Sequence, residues 1–419
     1  MLENRNKIGT VVATAMTVTI VVGAGLLTLP GLTFAHAGRL GYLPWLLVSA
    51  LMIPLLLIFT FFARQFPSAG GVVGYVRASL GSRIATAAEM IVLGTFTLGI
   101  PAIALIGAGY MHQAVPLMAP QIIAICMVTI SLFAGILGLR ISGVFQTAIA
   151  VSIVLGLLTI VAGFLWNTGA SFDQPMATEI SSFAGVATGL PIVLFAFTGW
   201  EMTAFLAEDM KDPKRDLPRS IWASFVVVVV LYIVIAWTVA KYAVLNDRWI
   251  NAPVLEMASF WLGVEASRVV GVIVSALVLA NVVAAFTSAS RAIFSAGRDG
   301  LLPRTIGITS SNGSPIIAML LTYGIFVTII FSTYIEGVNV GTLLQLAGQN
   351  FFVLYLLSAI GYVALHRLSI KRWIGYFSIA AVMSAMGLFS AYGLIYCAIL
   401  GVIGFFIQWL NKSNRLERI

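Results

Sequence analysis

Apolar stretches of membrane-crossing length recur along the chain between short polar breaks, and twelve can be counted. They cover residues 10–36, 41–63, 84–113, 119–139, 142–166, 183–206, 218–244, 266–296, 315–334, 340–365, 373–389 and 391–410. A helix needs about 20 apolar residues to cross the hydrocarbon core, which most of these supply. The last two are short and share one run, so a single re-entrant pair is the alternative for that end. The pattern predicts an all-α integral membrane protein of about twelve transmembrane helices.

Composition sharpens this reading. Of 419 residues, 60% are hydrophobic and 9% charged, with a mean hydropathy of +1.04. No soluble domain of this size hides so much apolar surface. The net charge of +8 is not read as nucleic-acid binding, because Lys and Arg punctuate the apolar segments. With the N-terminus in the cytoplasm, 19 of the 23 basic residues fall on the inner side. Only Arg39, Lys241, Arg248 and Arg268 fall outside. That asymmetry predicts cytoplasmic termini in a multi-pass protein of the cytoplasmic (inner) membrane. Lys7, the first apolar run and Ala35-His36-Ala37 imitate a secretory signal. The run is too long for one and further spans follow at once, so it is read as a retained first span.

Candidate chemistry begins with Gly23-Ala24-Gly25, in the middle of the first apolar segment. Two glycines at mid-depth invite the helix to break. Freed backbone groups are tolerated in hydrocarbon only against a cavity or ligand, so a break offers a main-chain binding site. Small-x-small helix packing is the alternative use of the pair. A second break is expected in the sixth span, at Phe195-Ala196-Phe197-Thr198-Gly199-Trp200, followed by Glu201. A carboxylate at membrane depth costs several kcal/mol unless it is paired, hydrated or functional. Gly99-Ile100-Pro101 kinks the third span and is expected to face the same cavity. Glu89 lies nearer the cytoplasmic end of that span and is a second coupling candidate. A possible ion site lies between spans one and eight, at Thr287 and Ser288.

Spans one and six open two consecutive sets of five. Residues 1–166 and 183–366 are then two inverted repeats, and 373–410 holds two added helices. This is the arrangement expected of a transporter with its site at the midplane. The three histidines, His36, His112 and His366, are isolated, as are Cys126 and Cys397. No nucleophile or metal constellation is present, so neither an enzyme nor a metal or cofactor site is expected. A channel would want a more polar lining than Glu89 and Glu201 supply.

The chain resembles the amino acid–polyamine–organocation superfamily. The resemblance is carried by Gly23-Ala24-Gly25 with Pro30, Pro67-Ser-Ala-Gly70-Gly71 and Phe197-Thr-Gly199-Trp-Glu201. It continues through Glu208 with Lys211-Asp-Pro213-Lys-Arg215-Asp-Leu-Pro218, and Ser290-Arg291 with Arg298-Asp299-Gly300. The branch it is most similar to is that of bacterial exporters of methionine and branched-chain amino acids. The resemblance implies the leucine-transporter fold, with a 5+5 inverted repeat and broken helices 1 and 6. It implies that the amides of Gly23, Ala24 and Gly25 hold a substrate carboxylate. It implies that Phe195, Phe197, Thr198 and Trp200 hold the amino group and close over the side chain. Glu201 matches a glutamate linked to proton-sensitive gating. Some proton-coupled relatives carry a lysine in the fifth span, and 142–166 contains none.

The expected function is secondary active transport of a neutral, apolar L-amino acid by alternating access, as proton-linked efflux with H+ ahead of Na+. The presumed apolar lining of Gly99, Ile100, Phe195, Ala196 and Phe197 favours leucine, isoleucine, valine or methionine. An importer or exchanger of cationic amino acids or polyamines is the alternative. The expected partners are the amino acid and membrane lipid, with no nucleic acid.

Overall fold

The computed structural model describes residues 8–22, 25–66, 71–137, 143–168, 181–200, 210–298, 300–310, 314–335, 338–366 and 370–416. Its regular elements among the described residues are α-helices and one short 3-10 helix, Arg304–Gly307. The first apolar segment appears as α1 (Thr10–Val22) and α2 (Gly25–Ala37), the second as α3 (Leu43–Gln65). A short α4 (Gly71–Leu80) precedes α5 (Ser82–Ala114), α6 (Pro120–Ile136) and α7 (Gly143–Asn167). The sixth segment is α8 (Phe183–Ala196), which stops well short of residue 206, and α9 (Pro213–Tyr242) is the seventh. Two short helices, α10 (Asp247–Asn251) and α11 (Pro253–Leu262), lead into α12 (Val264–Arg298). The chain closes with α13 (Ile316–Ser332), α14 (Val340–Leu365), α15 (Arg372–Met386) and α16 (Ala391–Leu416).

Local chemistry sets these boundaries. Ser182, Asn246 and Asn339 each accept a backbone N–H from the first turn of α8, α10 and α14, satisfying an orphan donor. Proline occupies the first turn of α3, α6, α9 and α11, where its missing N–H costs nothing. The last apolar run forms two helices, α15 of 15 residues and the longer α16, whose stretch Ala391–Trp409 is long and apolar enough to cross a membrane. The structure adds three helices that the apolar pattern did not separate, α4, α10 and α11.

Apolar character alone does not drive helices together in lipid, so close backbone approach and hydrogen bonds must. The long α5 is the axis of the packing and touches α4, α6, α12, α13, α14 and α16. Added helix α16 lies close along it. A side chain at Gly404 would strike the backbone of Thr86 and Ala87, and one at Gly94 would strike Leu400. The short helices α10 and α11 cover α2. Thr28 donates to the Asn251 carbonyl, and any side chain at Gly31 would meet the carbonyls of Trp249 and Ile250. The half-helix α2 is thus held between α8 on one side and α10 and α11 on another.

Candidate functional site at two interrupted helices

The site is built where two helix ends meet. Helix α8 ends at Ala196, and α2 begins at Gly25. A Cβ added to Gly25 would lie 3.2 Å from the Ala196 Cβ and 3.3 Å from its Cα. The positive end of one helix therefore adjoins the negative end of another, and the first turn of α2 carries no acidic side chain to neutralise it. Gly23 and Ala24, between α1 and α2, lie outside the described residues, as does Glu201.

Past Ala196 the chain turns sharply. Thr198 donates to the Phe195 carbonyl twice, from its hydroxyl at 2.7 Å and its amide at 3.0 Å. Gly199 then adopts φ 114°, a left-handed conformation that L side chains rarely take. All six residues from Phe195 to Trp200 are buried. Phe197 packs against Tyr232 of α9 at 5.1 Å and Trp45 of α3 at 6.4 Å between ring centroids. Trp200 lies 5.6 Å from Phe225 of α9, and its buried indole N–H has no hydrogen-bond partner among the described residues.

Several of the expected residues come together. A Cβ on Gly99 would be 3.5 Å from the Ala347 Cβ and 3.9 Å from the Phe195 ring. Ile100, beside it, is buried in the same core. Ala347 and Gly348 of α14 were not expected in the site. A Cβ on Gly348 would lie 3.2 Å from the Phe195 Cα, so α14 reaches the end of α8 only because the residue is glycine.

Two further residues emerge from the hydrogen bonding. The Tyr232 hydroxyl is 2.8 Å from the Val21 carbonyl of α1 and 2.8 Å from the Ala196 carbonyl of α8. Asn281 of α12 donates its amide to the Thr19 carbonyl of α1 at 2.9 Å. Thr19 and Val21 lie in the last described turn of α1, and Ala196 is the last residue of α8. Both side chains are isolated polar groups within long apolar runs, a signal readable in the sequence.

Other expected residues lie apart. Glu89 pairs with Arg77 of α4 at 3.4 Å, with side chains 18% and 56% exposed. It precedes Gly99 by ten residues, roughly 15 Å along the helix axis. Thr287 and Ser288 donate their hydroxyls to Val283 and Ala284 of their own helix, and Ser288 is exposed. The α12 side chain that reaches α1 is Asn281, roughly 9 Å along the axis from Thr287. An apolar groove of about 330 Å³ opens between α2, α7 and α12, lined by Leu27, Gly156, Ile160, Val274 and Asn281. Its rim includes Leu155 and Ile273, which are 58% and 53% exposed. It belongs to the outward apolar surface rather than to the buried meeting point of the two helix ends.

Comparison with known proteins agrees with this architecture. The profile of the amino acid permease family matches residues 8–415. The uncharacterized amino acid permease YecA of Bacillus subtilis (strain 168) is 27% identical over 419 residues, covering 99% of this chain and 98% of its own. The L-methionine/branched-chain amino acid exporter YjeH of Escherichia coli (strain K12) is 29% identical over 217 residues, 51% of each chain. Among solved structures, a Na+-coupled sialic acid symporter in a substrate-bound outward-open state superposes with a TM-score of 0.55 at 12% identity. That match covers 92% of this chain and 91% of the symporter, and shows a shared leucine-transporter fold. A family match along nearly the whole chain, with two interrupted helices meeting at its centre, assigns this protein to the amino acid permease family of the amino acid–polyamine–organocation superfamily.

Proposed function

We propose that this permease carries neutral, apolar L-amino acids of the leucine, isoleucine, valine and methionine type across the cytoplasmic membrane by alternating access. The observation that carries the proposal is the abutment of Gly25 and Ala196. An α-amino acid has its carboxylate and ammonium on one carbon. The start of α2 offers amides and a positive dipole end to the carboxylate. The end of α8 offers carbonyls to the ammonium. The side chain then extends toward Gly99, Ile100 and Phe195, where an unpaired charge would cost several kcal/mol. Gly23 and Ala24 complete the carboxylate site, and Phe197, Thr198, Gly199 and Trp200 form the turn that closes over the amino group.

Efflux is the proposed direction, supported by the likeness to the Escherichia coli exporter, with protons as the proposed coupling ion. Glu201 is the proposed proton-responsive carboxylate because it follows the turn directly in sequence. Glu89, already paired with Arg77, and an ion site at Thr287 and Ser288 stand behind it. Residues 1–166 and 183–366 are the proposed inverted repeats, with 373–410 added to them and both termini cytoplasmic.

The test is counterflow in proteoliposomes. Vesicles loaded with unlabelled leucine should accumulate labelled leucine, with valine, isoleucine and methionine competing and arginine, lysine, aspartate and glutamate failing to. Arginine or a polyamine competing better than leucine would overturn the reading in favour of a cationic substrate.

A further inference from the structure

The two interrupted helices share one hydrogen-bond donor. The Tyr232 hydroxyl carries a single proton. It stands at 2.8 Å from two acceptors, the Val21 carbonyl ending α1 and the Ala196 carbonyl ending α8. The ring is fully buried and fixed by its neighbours, Trp45 at 4.9 Å and Phe197 at 5.1 Å. Trp45 is itself anchored, donating its indole N–H to Thr33 of α2 at 3.1 Å. The hydroxyl can therefore redistribute its proton between the two carbonyls without moving the ring.

We propose that Tyr232 is a positioning residue that latches the ends of α1 and α8 together and yields the Ala196 carbonyl to the ammonium of the substrate. The inference rests on the α-amino acid reading above. In the empty protein the proton is shared, and the spacing of the two helix ends is set through one oxygen. An ammonium arriving at the end of α8 supplies a charge-assisted donor to Ala196, stronger than a neutral hydroxyl. The Tyr232 proton then turns wholly to Val21. Binding at one helix end is thereby felt at the other, and on substrate departure the shared bond re-forms.

The latch has an unusual kinetic signature. Tyr232→Phe keeps the ring packed but removes the competing donor, leaving the Ala196 carbonyl unsatisfied until substrate binds. Labelled leucine should bind the purified variant about threefold or more tightly, while turnover in proteoliposomes falls about tenfold per folded transporter. A merely structural tyrosine would lower the melting temperature and the folded yield without tightening binding. Unchanged or weakened leucine affinity in a folded Tyr232→Phe protein overturns the latch, as does unchanged turnover. If that variant does not fold, site-specific 3-fluorotyrosine, assayed in acidic buffer where the phenol stays protonated, retains the ring and strengthens the donor. Leucine should then bind more weakly than to the wild type, and unaltered affinity would sink the proposal. A wild type that binds no α-amino acid would overturn both the substrate reading and the latch. A wild type that binds leucine beside an unresponsive Tyr232→Phe would overturn the latch alone.

Discussion

The first and sixth spans both stop near the centre of the bundle, yet their ends are satisfied in different ways. The sixth looks after itself: Thr198 returns two donors to Phe195, and Gly199 turns the chain with the φ only glycine adopts readily. Its Ala196 carbonyl reaches outside, to Tyr232 of α9, whereas the described end of the first takes both of its side-chain donors from other spans. Thr19 is served by Asn281 from α12 and Val21 by Tyr232 from α9. A turn closed by its own residues keeps its geometry wherever it goes. A helix end closed by borrowed side chains changes partners when its neighbours shift. The difference makes the turn after α8 the more self-contained element of the site, hydrogen-bonded to α9 through Ala196, and α1 the element held by two neighbouring spans.

The largest effect in this contrast is expected at Asn281. Asn281→Leu removes the side-chain donor to the Thr19 carbonyl, a part-buried bond worth about 1 kcal/mol. Turnover in proteoliposomes should fall by about tenfold, with the end of α1 exchanging its amide hydrogens faster than the end of α8. Equal exchange at the two ends would erase the distinction between them.

Thr198→Val should be milder. The hydroxyl bond to Phe195 disappears, but the Thr198 amide still donates to the same carbonyl. The cost should stay below about 1 kcal/mol, visible as a small drop in melting temperature. A loss as large as that of Asn281→Leu would show that the sixth-span turn is no more self-sufficient than the first.

The smallest effect concerns α10 and α11, which cover α2. Desolvation raises the pKa of Glu256 on α11, against the lowering influence of Arg248, 4.0 Å away, and a hydrogen bond with Ser259. A carboxyl whose folded pKa exceeds its unfolded value stabilises the fold at low pH and loses that contribution as pH rises through the folded pKa. Wild-type melting temperature should therefore decline, relative to Glu256→Gln, as pH is raised above the ordinary carboxylate range. Parallel curves would show that this carboxyl does not tune the cover on α2.

Much of this architecture was legible in the sequence, because span length and apolar character are set by the bilayer itself. Most of the twelve segments match helix positions, the sixth excepted, and its break after Ala196 follows from Thr198-Gly199 within an apolar run. Helices α4, α10 and α11 escaped notice because they are too short to cross a membrane, and their polar residues read as loop. Gly25, Gly99 and Phe195 were legible as site candidates from helix-breaking chemistry. Ala347 and Gly348 were not, since a small residue gains meaning only from the helix that abuts it. Tyr232 and Asn281 are polar groups amid apolar runs that the sequence reading passed over, and they pair with main-chain carbonyls 211 and 262 residues away. No local pattern announces such a pairing.

The central claim is that the adjoining ends of α2 and α8 form one amino-acid site. Calorimetric titration of L-leucine into purified wild type and Gly25→Leu tests it directly, with gel filtration confirming that both are folded. The wild type should bind. In Gly25→Leu a side chain must enter a space where even a Cβ lies 3.2 Å from Ala196, so leucine binding should fall by at least about a hundredfold. Wild-type affinity in a folded Gly25→Leu protein would place the site elsewhere and contradict the account.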